Sequence, residues 1–268
     1  MTAARFGATV LAAALLAAGC GDDERKDVES YIREVNILQQ ELLAPLTDAS
    51  AAYQTFSTSE KELARLRPKL VEAEASVRLL DRRVAELRPP ADARTLHERM
   101  RELTGAQVAL ADELERTSAF MPAYLATLRP LDSAEQALRS ELRAARSPQA
   151  QVRALERFEA AVDDVLRELR ALDAPGLASA EHETQIETLE TLAVSAGELA
   201  RAIESGDRPA QILRAVQRFA NAPLSGQSAA SQRVRITAVK AYNARVDGVL
   251  EAARAVEQER LRLEEALG

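Results

Sequence analysis

The chain has 268 residues, a formal net charge of -7 and 47% hydrophobic residues, yet only 3% are aromatic and there is no Trp. Its 53 Ala and 36 Leu, set among abundant Arg and Glu, are the composition of long helices. That mixture excludes a β-sandwich or barrel, which needs β-branched and aromatic residues and frequent turns. It also excludes disorder, because the apolar content suffices for a core. Lys occurs only at 26, 61, 69 and 240, and no face or stretch is basic, so nucleic acid is not an expected partner.

Chain order begins with a positive charge at Arg5 and an apolar run of 14 residues, Phe6 to Gly19. The run is too short for a permanent bilayer span, which takes about 20 apolar residues. A charged start, a short apolar middle and small residues at the end describe a secretory signal peptide over 1–19. The run closes in Leu16-Ala17-Ala18-Gly19-Cys20, and Cys20 is the chain's single cysteine. This segment resembles the lipobox of bacterial lipoproteins, with Ala17 standing where that motif most often has Leu. The resemblance implies that the Cys20 thiol takes a diacylglycerol and that cleavage leaves Cys20 first. Acyl chains on Cys20 then make the membrane a partner, since two or three chains anchor stably where one does not. Residues 20–24 are the anchor and a short polar spacer, and the exported body, 25–268, keeps no thiol for a disulfide.

The body reads as helices. Val28, Tyr31, Val35, Leu38, Leu42, Pro45, Ala49, Ala52 and Phe56 recur at three and four, predicting a helix over about 23–57 that Pro45 kinks rather than ends. Ser57 with Glu60, or Ser59 with Glu62, fits a capping box for the next helix. That helix carries Leu63, Leu66, Leu70, Ala73, Val77, Leu80, Val84 and Leu87, with a start that Pro68 can displace, and Pro89-Pro90 stops it. Leu96, Met100, Leu103, Gln107, Leu110, Leu114, Thr117 and Met121 mark a third helix. Pro122 and Pro130 predict a kink or break there before a shorter helix ending near Arg146.

Ser147-Pro148 is an N-cap with Pro at the first helical position. The helix it opens has Val152, Leu155, Val162, Val165, Leu169 and Leu172 on one face and ends at Pro175-Gly176. Ile186, Leu189, Ala193, Ala196, Leu199 and Ile203 form the next stripe, closed by Ser205-Gly206. A short helix holds Ile212, Leu213, Val216 and Phe219, and 221–226 is a loop. The last helix, about 228–267, uses Val239, Tyr242, Val246, Val249, Ala253, Val256, Leu263 and Leu267. Short connections predict an all-α fold: an elongated antiparallel helical bundle with long coiled-coil-like helices, a single domain over 25–268.

Shifted by 85 residues, 77–118 aligns with 162–203 without a gap, and twelve of 42 positions match. This composition alone gives roughly four matches. The matches include Pro90/Pro175 and the two histidines, His97/His182, which an Ala/Leu bias does not place. The reading is an internal duplication, with repeat units of about 63–146 and 148–222.

No catalytic or metal-site motif is present. His97 and His182 lack the companion ligands that zinc needs, so packing or capping is the expected role, although a pH-sensitive contact lies within their chemistry. Asp163-Asp164, Glu181/Glu183 and Glu264-Glu265 read as solvated helix charges, and Tyr242, beside Asn243, as a core aromatic. Neither a catalytic residue nor a cofactor or metal is expected, and Cys20, the lipid anchor, is the one site residue. With Leu87-Arg88-Pro89-Pro90, His97-Glu98 and Ala241-Tyr242-Asn243, the body looks like uncharacterised helical lipoproteins of high-GC bacteria. The expected function is a non-enzymatic, lipid-anchored scaffold that meets a protein partner on the outer face of the cytoplasmic membrane. The alternative is a binding protein for a small ligand in the bundle core.

Overall fold

The computed structural model describes residues 20–54, 60–221 and 227–268. The signal peptide at 1–19, the capping residues Ser57 and Ser59 and most of the 221–226 loop lie outside the described residues. The described chain is all-α, without a strand. Its helices are α1 (Cys20–Gln54), α2 (Glu60–Glu86), α3 (Arg94–Ala144), α4 (Pro148–Arg170), α5 (Gly176–Glu204), α6 (Pro209–Asn221) and α7 (Gln227–Leu267). One 3-10 turn, Ala91–Ala93, leads into α3.

Proline breaks none of these helices. Pro45 lies inside α1, Pro68 inside α2, and Pro122 and Pro130 inside α3. Pro68 does not displace the start of α2, which begins at Glu60. Of the kink or break expected at Pro122 and Pro130 no break occurs, since α3 is one element of 51 residues that includes the shorter helix expected to end near Arg146. Each interior Pro costs about 3 kcal/mol relative to Ala. Around the α3 prolines, Met121, Tyr124, Leu125, Leu128 and Leu131 are all at most 5% exposed. Burying each such side chain returns about 1.5–3 kcal/mol, so burial outweighs the local defect. Just before Pro122, the buried Thr117 hydroxyl donates to the Glu113 carbonyl and the Ser118 hydroxyl to that of Glu115, each at 2.7 Å, so both hydroxyls are satisfied within the helix.

The described residues group into two compact units. Unit 1 takes 20–48, 73–110 and 246–268, and unit 2 takes 49–72 and 111–245. The divisions fall inside α1, α2, α3 and α7, so these helices contribute to both. In unit 1 the interior is Val28, Tyr31, Ile32, Val35, Leu38 and Leu42 from α1, Val77, Leu80 and Val84 from α2, and Leu96, Met100 and Leu103 from α3. Val249, Val256 and Leu263 of α7 complete it at intervals of seven, the spacing of a narrow coiled-coil seam.

In unit 2, α4 packs on α5 and α5 on α6. The Ser147 side chain accepts from the Ala150 amide at 3.2 Å and caps α4, as its position before Pro148 predicts. The α4 face is Val152, Leu155, Phe158, Val162, Val165, Leu166 and Leu169. Two stripes differ from expectation. In α6 only Ala215 is buried, while Leu213 and Val216 are exposed, and in α7 Val239 is exposed.

The two aligned stretches share local geometry. Pro90 (φ -60, ψ 163) precedes the 3-10 turn, and Pro175 (φ -67, ψ 160) precedes α5. The amide three residues on donates back to each Pro carbonyl: Ala93 to Pro90 at 3.0 Å, Ala178 to Pro175 at 2.9 Å. Buried positions also coincide under the 85-residue shift, as in Val77/Val162, Leu80/Val165, Val84/Leu169, Ala93/Ala178, Ala111/Ala196 and Leu114/Leu199. Loop, turn and burial frame are thus repeated, although most side chains are not.

Candidate functional site

Cys20 is the first residue of α1, and its side chain lies outside the described residues. Asp22, Asp23 and Glu24 follow it in the sequence. Among the described residues no helix is long and apolar enough to cross a membrane.

His97 sits in the first turn of α3 and is half-buried in unit 1. Its Nδ1 lies 2.9 Å from the hydroxyl of Tyr31 on α1. Tyr31 is 4% exposed, and burial, with Glu34 nearby, raises its phenol well above the usual value. The hydroxyl therefore keeps its proton, and with the ring proton on Nε2 it donates to Nδ1. Burial, and secondarily Arg101, lowers the pKa of His97, against the opposing effect of Glu98.

His182 belongs to α5 and unit 2, so each histidine has its own surroundings. Its Nε2–H donates to the Leu169 carbonyl in the last turn of α4 at 2.9 Å. That carbonyl also accepts from the Leu172 amide at 3.1 Å, and the ring supplies a donor for its second lone pair. Phe120 meets the imidazole edge-on at 5.9 Å between centroids, and Tyr124 lies at 6.2 Å. This is the capping role expected of a histidine beside a proline loop.

Sequence reasoning missed the polar residues around it. Glu181 is 4% exposed and Gln185 0%, whereas Glu181 is expected to be solvated. The expected stripe holds at Leu189, Ala193, Ala196 and Leu199, but before Leu189 the inward face runs Leu177, Ala178, Glu181, His182 and Gln185, with Gln185 rather than Ile186 buried. Spacing from Leu189 back to Ala178 could have shown this, but polar residues at 181, 182 and 185 hide it. The other carboxylates are helix charges: Asp164 pairs with Arg167 at 2.7 Å, and Glu264 pairs with Arg260. Tyr242 is buried, and Asn243 is exposed.

A further carboxylate holds the start of α5. Glu113 of α3 accepts from the Leu177 amide through Oε2 at 3.0 Å. A Cβ on Gly176 would stand 3.1 Å from that oxygen, so the close approach favours glycine. Arg116 lies 3.8 Å from both Glu113 and Asp173. The N-terminus of α5 is thus occupied by a protein carboxylate rather than open to a ligand anion.

An open groove of about 840 Å³ lies between the end of α5 and α6 in unit 2. Glu198, Arg201, Glu204, Asp207, Arg214 and Arg218 line it, and Arg218 binds Glu198 at 3.0 Å. Its charges are mixed and exposed, without the apolar walls typical of a small-molecule site. Among the described residues no group of three or more His, Cys, Asp or Glu is close enough to hold a metal ion. No protein-family model, curated protein or solved structure matches the chain.

Proposed function

We propose that the protein is a non-enzymatic, lipid-anchored helical scaffold that presents its body to a protein partner on the outer face of the cytoplasmic membrane. The observation that carries this reading is the N-terminal pattern, a charged start and a 14-residue apolar run ending at the single cysteine, Cys20. The helical body supports it. Its buried positions are dominated by Leu, Ala and Val, which stabilise a helix assembly without a disulfide. Export would leave such a body dependent on packing alone. The paired Arg and Glu side chains on its helices suit a solvated surface rather than a reaction centre.

Two measurements test the reading in sequence. A palmitate analogue fed to cells should label the wild type and not Cys20→Ala, and equal labelling of both would refute the anchor. Crosslinking in native membranes should then recover a protein partner that Cys20→Ala loses. If crosslinking recovers nothing while the purified body binds a small metabolite, the core-ligand reading replaces the scaffold.

A further inference from the structure

The two histidines occupy equivalent positions of the repeated stretch, yet protonation means different things for them. His182 donates Nε2–H to a carbonyl, and an imidazolium makes that bond as well as a neutral ring does. His97 meets a hydroxyl through Nδ1. The Tyr31 hydroxyl is neutral and buried, and Nδ1 accepts its proton only while the ring is neutral. Protonating His97 reverses the bond, so that Nδ1–H donates to the Tyr31 oxygen. The buried Tyr31 O–H is then left without its acceptor, and a cation stands beside Arg101. Moreover, His97 is partly exposed and within reach of solvent protons, whereas His182 is 8% exposed.

We propose that the Tyr31–His97 contact is a pH-sensitive clasp that fastens α1 to α3 in unit 1 at neutral pH and loosens on acidification. The groups acting on it are known from each side. Arg101 and Glu98 of α3 act on the ring, and Glu34 of α1 acts on Tyr31. Burial of the ring comes first, then Arg101, with Glu98 opposing. The sign follows from linkage. A histidine whose folded value lies below its unfolded value of about 6.5 contributes stability that is fully present above 6.5. That contribution is lost as pH falls from 6.5 towards the folded value. The helix released, α1, carries Cys20 at its first described position. The clasp itself does not depend on whether Cys20 is acylated.

Hydrogen exchange of the full chain tests the clasp. Amides of 28–38 are followed between pH 7.5 and 5.5, with intrinsic rates corrected. His97 and His182 are the only histidines, and ordinary carboxylates, which titrate near about pH 4, contribute little in this window. In the wild type the opening of α1 should rise as pH falls, by at most about tenfold per pH unit, the limit for one proton. His97→Gln, which keeps a polar group facing Tyr31, should show no such rise. An equal rise in His97→Gln, or no rise in the wild type, overturns the proposal. The His97 ring resonance of the unmutated protein gives a second readout: a midpoint below 6.5 supports the clasp, and one at or above 6.5 overturns it.

Discussion

Glu113 reaches from α3 to cap a helix 64 residues later in the chain, and its removal has a calculable cost. The carboxylate does two things at the start of α5. It satisfies the Leu177 amide at 3.0 Å, one of the four amides that a helix N-terminus leaves without a partner. Loss of a side-chain cap typically costs about 0.5–2 kcal/mol. It also sets a negative charge against the helix dipole, worth about 0.3–1 kcal/mol. Its side chain is 14% exposed, so water replaces it poorly. Glu113→Ala removes both contributions and should cost roughly 1–2 kcal/mol, while Glu113→Gln keeps an acceptor and should cost roughly 0.3–1 kcal/mol. Urea unfolding followed by circular dichroism measures both, with equal slopes required for comparison. Equal losses in the two variants would refute the division into acceptor and charge. A loss below about 0.3 kcal/mol in Glu113→Ala would refute the cap itself.

Other substitutions probe separate statements. Ser147→Ala should cost about 1 kcal/mol in the same urea assay, because the Ala150 amide loses its acceptor. Pro130 is exposed inside α3, so Pro130→Ala should stabilise by roughly 1–3 kcal/mol if the helix is continuous there; no gain would place a break at 130. Gly105 lies exposed in α3, and an added Cβ meets nothing within 4 Å, so Gly105→Ala should raise stability by about 0.5–1 kcal/mol. Met100 is 0% exposed, and Met100→Ala should lose about 2–5 kcal/mol in thermal or urea unfolding.

The sequence carried the fold where apolar spacing was clean. The stripes of α1 and α2 and the cap of α4 were readable because Val, Leu and Ser stand where helix geometry uses them. Proline was over-read. A rule about local hydrogen bonding says that Pro122 and Pro130 disrupt a helix, but tertiary burial of Met121, Tyr124 and Leu128 decides the outcome. Sequence periodicity also overstated α6, whose Leu213 and Val216 have the right spacing and remain exposed. The Tyr31–His97 contact joins residues 66 apart, and Glu113–Leu177 joins residues 64 apart. Nothing local in either segment marks such a partner. The repeat was readable through Pro90/Pro175 and His97/His182, yet the differing chemistry of the two rings required their surroundings.

The most direct test of the anchored-scaffold proposal is the mass of the mature N-terminal peptide of protein extracted from membranes. The proposal predicts a peptide that begins at Cys20, lacks 1–19 and carries the added mass of a diacylglycerol. An unmodified Cys20, or an N-terminus that retains 1–19, would contradict it.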